Sequence, residues 1–135
     1  MKAKHHLIAS SLLFLLLYFA FDAVRLSAIF APIFITLFPD VDLHLGSHRN
    51  WFFHSIFLWV AILLFNFDIY HALFVLSVGF HLLCDITPQP SKWVGYYCVK
   101  WRKRGMFPRG RQGAMSTMWY GLNFAVSVWI LFLFV

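Results

Sequence analysis

Glutamate is missing from this 135-residue chain, whose five acids are all aspartate (Asp22, Asp40, Asp42, Asp68 and Asp85), and charged residues make up only 12% of it. A soluble domain of this length needs far more polar surface, with charged residues at about 25% on average. Cysteine is nearly absent too. Cys84 and Cys98 fit no paired spacing such as C-x-x-C, and each reads as a buried apolar thiol rather than half of a disulfide or a metal ligand. No alternating apolar-polar pattern of the transmembrane-barrel type occurs, and no nucleic-acid-binding motif, so nucleic acid is not an expected partner. The start MKAKHH leads into an apolar run with no small-residue cleavage site after it, which reads as a retained anchor rather than a removed leader.

What is present is apolar. Hydrophobic residues reach 61% and the mean hydropathy is +0.75, the composition of an all-α, polytopic transmembrane helical bundle. Five apolar segments can be marked, at about Leu7 to Phe21, Leu26 to Phe38 (with Pro32 inside), Trp51 to Phe65, Ile69 to Ile86 and Met115 to Val135. Only the last clears the usual span of about 20 residues with ease; the others need flanking residues or a thinned bilayer. Seven of the eleven Lys and Arg residues lie between Lys92 and Arg111, and Lys2 and Lys4 precede the first segment. The positive-inside rule places both regions in the cytoplasm. Segments one to four must then all cross, which gives five spans in the cell inner (cytoplasmic) membrane, N-terminus in and C-terminus out. One membrane domain over 1–135 divides into a metal-site core at 6–88, a basic cytoplasmic loop at 89–114 and a closing helix at 115–135.

The chain's ionisable residues are not scattered. PDVDLHLGSHRNWFFH runs from Pro39 to His54, and HLLCD from His81 to Asp85. Ionisable groups at membrane depth cost several kcal/mol unless paired, so they default to a functional reading. The topology puts His5 and His6, Asp40 and Asp42, His48 and His54, and His81 and Asp85 on one membrane side. Aspartate with histidine suits Zn²⁺ first, with Mn²⁺ and Fe²⁺ as alternatives, and the number of donors would allow one ion or two. Asp40 and Asp42, two apart after a Pro39 break, are expected to point into one space, and His81 and Asp85 share a helix face one turn apart. His48 is expected to precede the third helix. The metal ligands read this way are Asp40, Asp42, His54, His81 and Asp85, with His48 and His6 as further ligands or supports. Arg49 is the natural clamp for an anionic group; no separate general base is evident, and a metal hydroxide or an aspartate oxygen, with Asp42 as the candidate, would serve. A single histidine on a membrane helix more often bonds across helices; that reading goes to His71 with Asp68, while Asp22 with Arg25 reads as an interfacial pair. His5 and His44 stay open between the two readings.

FPDVD, then HRNWFFHS, then HLLCDITP resemble the YdjM-like family of small bacterial inner-membrane proteins, described as membrane-bound metal-dependent hydrolases. Its members carry an early histidine in a G-H-L-L context, then L-P-D-I-D, H-R-G-x-T-H-S, and H-x-x-x-D followed by L-T-P. Here His6 with Leu7 and Ile8 matches the first. Pro39, Asp40 and Asp42 match the second; His48, Arg49, His54 and Ser55 the third; His81, Asp85, Thr87 and Pro88 the fourth. This chain departs from the third motif by one extra residue between the histidines, Asn50 in place of glycine and Phe53 where threonine is usual. The resemblance implies a metal-dependent hydrolase and adds weight to His6 and Arg49.

The segment VKWRKRGMFPRGR mixes cations with aromatics, among them Trp93, Tyr96, Tyr97, Trp101 and Phe107 around it. Such a loop faces headgroups and sets topology, and it could also gather anionic headgroups beside the site at roughly 1 kcal/mol per cation. Gly121 and Ser127 are the expected contact points of the closing helix. Together these residues point to hydrolysis of a phosphoester, in a phospholipid of the surrounding membrane, at the cytoplasmic interface. The rivals are a metal-binding protein without catalysis and a partner-binding one, such as a small phage or defence membrane factor. A homo-oligomer or partner protein fits short helices in a small bundle.

Overall fold

The computed structural model describes residues 3–46, 49–86, 89–95, 97–99 and 102–135. His48, Thr87, Pro88, Tyr96 and Trp101, and the side chains of Tyr97 and Cys98, lie outside that description. The fold is helical, with five α-helices: α1 (Ala3–Ala20), α2 (Leu26–Ile35), α3 (Phe57–Phe65), α4 (Ile69–Cys84) and α5 (Gln112–Leu131). A 3₁₀ segment, Phe38–Leu43, follows α2. Against the expectation of no strands, the basic loop holds a small antiparallel hairpin, β1 (Tyr97–Val99) with β2 (Arg102–Arg104), in which Cys98 opposes Lys103. One stretch, Leu26–Leu43, is long and apolar enough to cross a membrane, with a mean hydropathy of 1.6; Lys4–Ala20 and Ile69–Cys84 are shorter apolar helices.

Helix ends follow from local chemistry. α2 stops at Ile35, short of the expected Phe38, with Thr36 as its C-cap. The chain then tightens into the 3₁₀ segment, with Pro39 in its first turn. α3 begins at Phe57 rather than Trp51 because the preceding residues spend their polar groups on turns. The Asn50 side chain accepts from the Phe52 amide (2.9 Å), the Ser55 hydroxyl donates to the Phe52 carbonyl (2.8 Å), and the His54 amide donates to the Asn50 carbonyl (2.8 Å). α4 starts where Asp68 accepts from the His71 amide (2.9 Å) as its N-cap. α5 begins at Gln112, a turn before the expected Met115.

α4 is the central rod and packs against each of the other four helices. Its Ala72, Leu73, Val75 and Val78 are fully buried, in one core with Phe14, Ile29, Leu63 and Ile130. Short links at 21–25 and 66–68 make α1/α2 and α3/α4 antiparallel neighbours. A polar clamp fixes α2 on α4: the Thr36 and Ser77 hydroxyls lie 2.6 Å apart, and Ser77 also donates to the Pro32 carbonyl. On α5 the expected contact at Gly121 is not made, since a methyl there would meet nothing within 4 Å. The close approach is at Gly79 of α4, where an added Cβ would lie 2.7 Å from Ser127 Cβ and 3.3 Å from Phe124 Cα. Large apolar side chains cover the outside, among them Phe19 (81% exposed), Leu64 (75%), Phe65 (88%) and Met118 (71%).

Two outcomes test this packing. Gly79→Ala should overpack the α4–α5 crossing and cost about 1–3 kcal/mol in a detergent melt, with Ser127→Gly restoring part of it. Asp68→Ala should cost about 1 kcal/mol by loss of the cap. Partial burial raises the Asp68 carboxyl, but the His71 amide, ring and charge together hold it below its ordinary value. Its contribution should therefore be present above the usual carboxylate range and vanish as pH falls through the lowered native value.

Candidate metal centre

Four separate parts of the chain deliver the polar residues to one end of the bundle. α1 brings His6, the 3₁₀ segment brings Asp40 and Asp42, the turn before α3 brings Arg49 and His54, and the last turn of α4 brings His81 and Asp85. The side chains of His6, His54, His81 and Asp85 are fully buried and that of Asp40 is 21% exposed. Asp40, His54, His81 and Asp85 each offer a ligand atom, and these four atoms lie within 4.8 Å of one another. His81 Nε2 is 3.3 Å from Asp85 Oδ2 and 3.8 Å from Asp40 Oδ1; His54 Nε2 is 3.9 Å and 4.0 Å from the same two oxygens. An ion held at 2.0–2.2 Å by tetrahedral donors needs donor–donor edges of roughly 3.3–3.6 Å, so the cage, whose atoms lie within 4.8 Å of one another, would contract to close on one.

Unmet hydrogen bonds support the same fit. Both ring nitrogens of His6 and Nε2 of His81 are buried and make no hydrogen bond, where most buried polar groups in proteins find a partner. His6 stacks on His81, ring centroids 4.2 Å apart, with its Nε2 3.7 Å from Asp85 Oδ1. On that side Asp85 Oδ1 faces His6 Nε2 and also Lys92 Nζ at 3.4 Å, a cation where a second ion would sit.

Asp40 and Asp42 do not share one space. A 3₁₀ helix turns about 120° per residue, so residues two apart point in well-separated directions. They bracket His54 instead. Asp40 faces Nε2, while Asp42 Oδ2 lies 3.3 Å from Nδ1 and accepts the Asn50 amide at 2.7 Å. A carboxylate on the far nitrogen of a ligating imidazole fixes its tautomer and orientation. The N–H that holds Asp42 is the backbone amide of Asn50, a donor any residue but proline would supply there.

Two cations share Asp85. Arg49 Nη1 contacts Asp85 Oδ2 and lies 3.1 Å from His54 Nε2, and Lys92 Nζ is 3.4 Å from Asp85 Oδ1. Burial pushes the Arg49 guanidinium below its ordinary value, opposed by the surrounding acids, yet guanidinium stays charged in proteins. The Arg49 backbone is left-handed (φ 62°), an uncommon state for a side chain of this size. The Gly95 amide holds its carbonyl at 2.6 Å.

Sequence reasoning counted Lys92 only among the loop cations; nothing in its local sequence separates it from the other six. It also took α5 as plain packing. In fact α5 carries the polar ties that hold the centre. Trp119 Nε1–H donates to the His54 carbonyl (2.8 Å) and the Asn123 side chain accepts the Ile56 amide (3.0 Å). Gln112 donates to the Val94 carbonyl (2.6 Å), Ser116 accepts the Val94 amide (3.1 Å), and the Tyr120 hydroxyl donates to the Lys92 carbonyl (3.0 Å).

No family model, curated protein or solved structure matches this chain. Its reading rests on its own residues. His5 and His44 are exposed and stand outside the cluster. His71 pairs with Asp68, but locally, its Nδ1 2.8 Å from Asp68 Oδ1 in the first turn of α4, where bonding across helices was expected. Cys84 is a free, half-buried thiol.

Removing Asp85 tests the electrostatics directly. In metal-free protein, Asp85→Asn should lower stability by about 3 kcal/mol, because buried Arg49 loses its contacting carboxylate and keeps only Asp40 and Asp42 to offset it. The double variant Asp85→Leu/Arg49→Met should recover much of the loss, read as melting temperature in one detergent.

Proposed function

We propose that this chain is a multi-pass protein of the inner membrane that hydrolyses a phosphoester with the help of one divalent metal ion, Zn²⁺ first and Mn²⁺ or Fe²⁺ as alternatives. The observation that carries the reading is the buried set Asp40, His54, His81 and Asp85, with donor atoms within 4.8 Å beside imidazole nitrogens that make no hydrogen bond. The resemblance to the YdjM-like motifs in their order, with the third stretched by one residue, supports the same chemistry.

Membrane residence draws on the outer surface. Side chains such as Phe19, Leu64, Phe65 and Met118 would be an aggregation hazard in water and are ordinary against lipid. In this reading all five helices cross, α2 with the 3₁₀ segment that follows it, and the cluster lies at the cytoplasmic end with the basic loop. A phospholipid is then the substrate at hand, since its phosphate sits at the depth of the site. The loop cations would gather anionic headgroups.

A bound divalent ion would supply Lewis acidity to activate water and to offset charge on the phosphoryl group. The protein does the rest. Asp40, His54, His81 and Asp85 hold the ion, Asp42 orients His54, and His6 backs His81 by stacking. Arg49 binds the phosphoryl oxygens with its fork. The free oxygen of Asp40, the most exposed of the three acids, is placed to take a proton, a role the sequence alone gave to Asp42.

The test is metal analysis of protein purified in detergent, paired with hydrolysis of vesicles of anionic phospholipid. Wild type should carry about one ion per chain; Asp85→Ala and His81→Ala should carry none and lose turnover by at least about 10³-fold. A chelator should abolish activity and Zn²⁺ should restore it. Unchanged metal content in Asp85→Ala sinks the site. Bound metal without turnover on any phosphoester moves the protein to the non-catalytic class.

A further inference from the structure

The position of Arg49 has a consequence for how an ion could enter. Its Nη1 stands between His54 Nε2, at 3.1 Å, and Asp85 Oδ2, which it contacts. Those are two of the atoms that face one another across the candidate cage. An imidazole nitrogen has one in-plane lone pair, which can accept a hydrogen bond or bind a metal but cannot do both. His54 has no spare nitrogen for the task, because Nδ1 faces Asp42 Oδ2 at 3.3 Å. Asp85 Oδ2 likewise cannot hold the guanidinium at contact distance and an ion in the same direction.

We propose that Arg49 is a built-in counter-cation which occupies the metal cage and is expelled when an ion binds, and that the expelled guanidinium becomes the clamp for an anionic phosphoryl group. The inference rests on the metal reading above and adds an order of events to it.

Charge favours such an exchange. Among the described residues three buried or half-buried carboxylates, Asp40, Asp42 and Asp85, face two cations, Arg49 and Lys92. With the histidines neutral, the metal-free cluster carries one net negative charge. A divalent ion in Arg49's place brings the cage itself to neutral, and the displaced guanidinium beside it leaves one net positive charge to attract a phosphate monoanion or diester. Arg49 cannot leave by losing its proton, since guanidinium stays charged. It leaves only if another cation takes its place.

The backbone is built for a pivot. Arg49 is held in the left-handed region at φ 62° while the Gly95 amide fixes its carbonyl at 2.6 Å. The residue's main chain can stay in place while its side chain turns outward. Lys92 stays on Asp85 Oδ1 at 3.4 Å, on the other oxygen from the one Arg49 gives up. Strain at such a position is commonly tied to a local role.

The experiment uses Zn²⁺ alone on the full-length protein in detergent. Affinity, by competition with a chromophoric chelator, should rise at least tenfold in Arg49→Met, because no cation has to be displaced. On wild type, modification of Arg49 by phenylglyoxal, read by peptide mass mapping, should be slow in metal-free protein and at least several-fold faster with Zn²⁺ bound. A cation merely near the cage would raise the affinity of the variant without changing that reactivity, so equal labelling with and without Zn²⁺ overturns the exchange. Unchanged or weaker Zn²⁺ affinity in a folded Arg49→Met variant overturns it as well. Should that variant not fold, the labelling of wild type decides alone. Zinc binding by neither form would instead bring down the metal reading, and the exchange with it.

Discussion

The centre depends on the carboxylate of Asp85. It lies fully buried at the C-terminal end of the central helix and draws Arg49 and Lys92 to its two oxygens, with His6, His54 and His81 around it. Without it two cations would sit among apolar helices with less to compensate them, and burial of an unpaired charge costs more than any single packing contact returns. Its place is set by α4 itself. Asp85 caps the helix, with its amide on the His81 carbonyl at 3.1 Å, so His81 and Asp85 form one rigid edge.

Everything around that edge is arranged to bring other parts of the chain to it. The Thr36–Ser77 clamp fixes α2 one turn away from His81, which sets where the 3₁₀ segment with Asp40 and Asp42 begins. The close crossing of Gly79 and Ser127 brings α5 near enough for Trp119 and Asn123 to take the turn that carries His54. The same helix holds Val94 and Lys92 through Gln112, Ser116 and Tyr120. A packing detail in the apolar half of the molecule thus governs the geometry of its polar end.

The motif residues were legible because ionisable side chains in so apolar a chain are costly to bury and seldom accidental: Asp40, His54, His81, Asp85 and His6 all reach one cluster. Local endings of helices were less legible. Asn50 and Ser55 shorten α3 by turn chemistry that an apolar run conceals. The shared direction expected of Asp40 and Asp42 failed because 3₁₀ geometry turns them apart. Lys92 stood among equal cations, and the close contact falls at Gly79 rather than Gly121 because the helix faces are set only by packing.

By itself the sequence determined the helical class, the approximate number of helices and the chemical types gathered at one end, since composition and the spacing of polar residues depend on no partner. Tertiary structure alone decided which carboxylate faces the cage, which orients a histidine, and which cation fills the space between them. Those assignments turn on the rotation of each element about its own axis. That rotation is set by packing between residues far apart in the chain, as at Thr36 with Ser77 and Gly79 with Ser127.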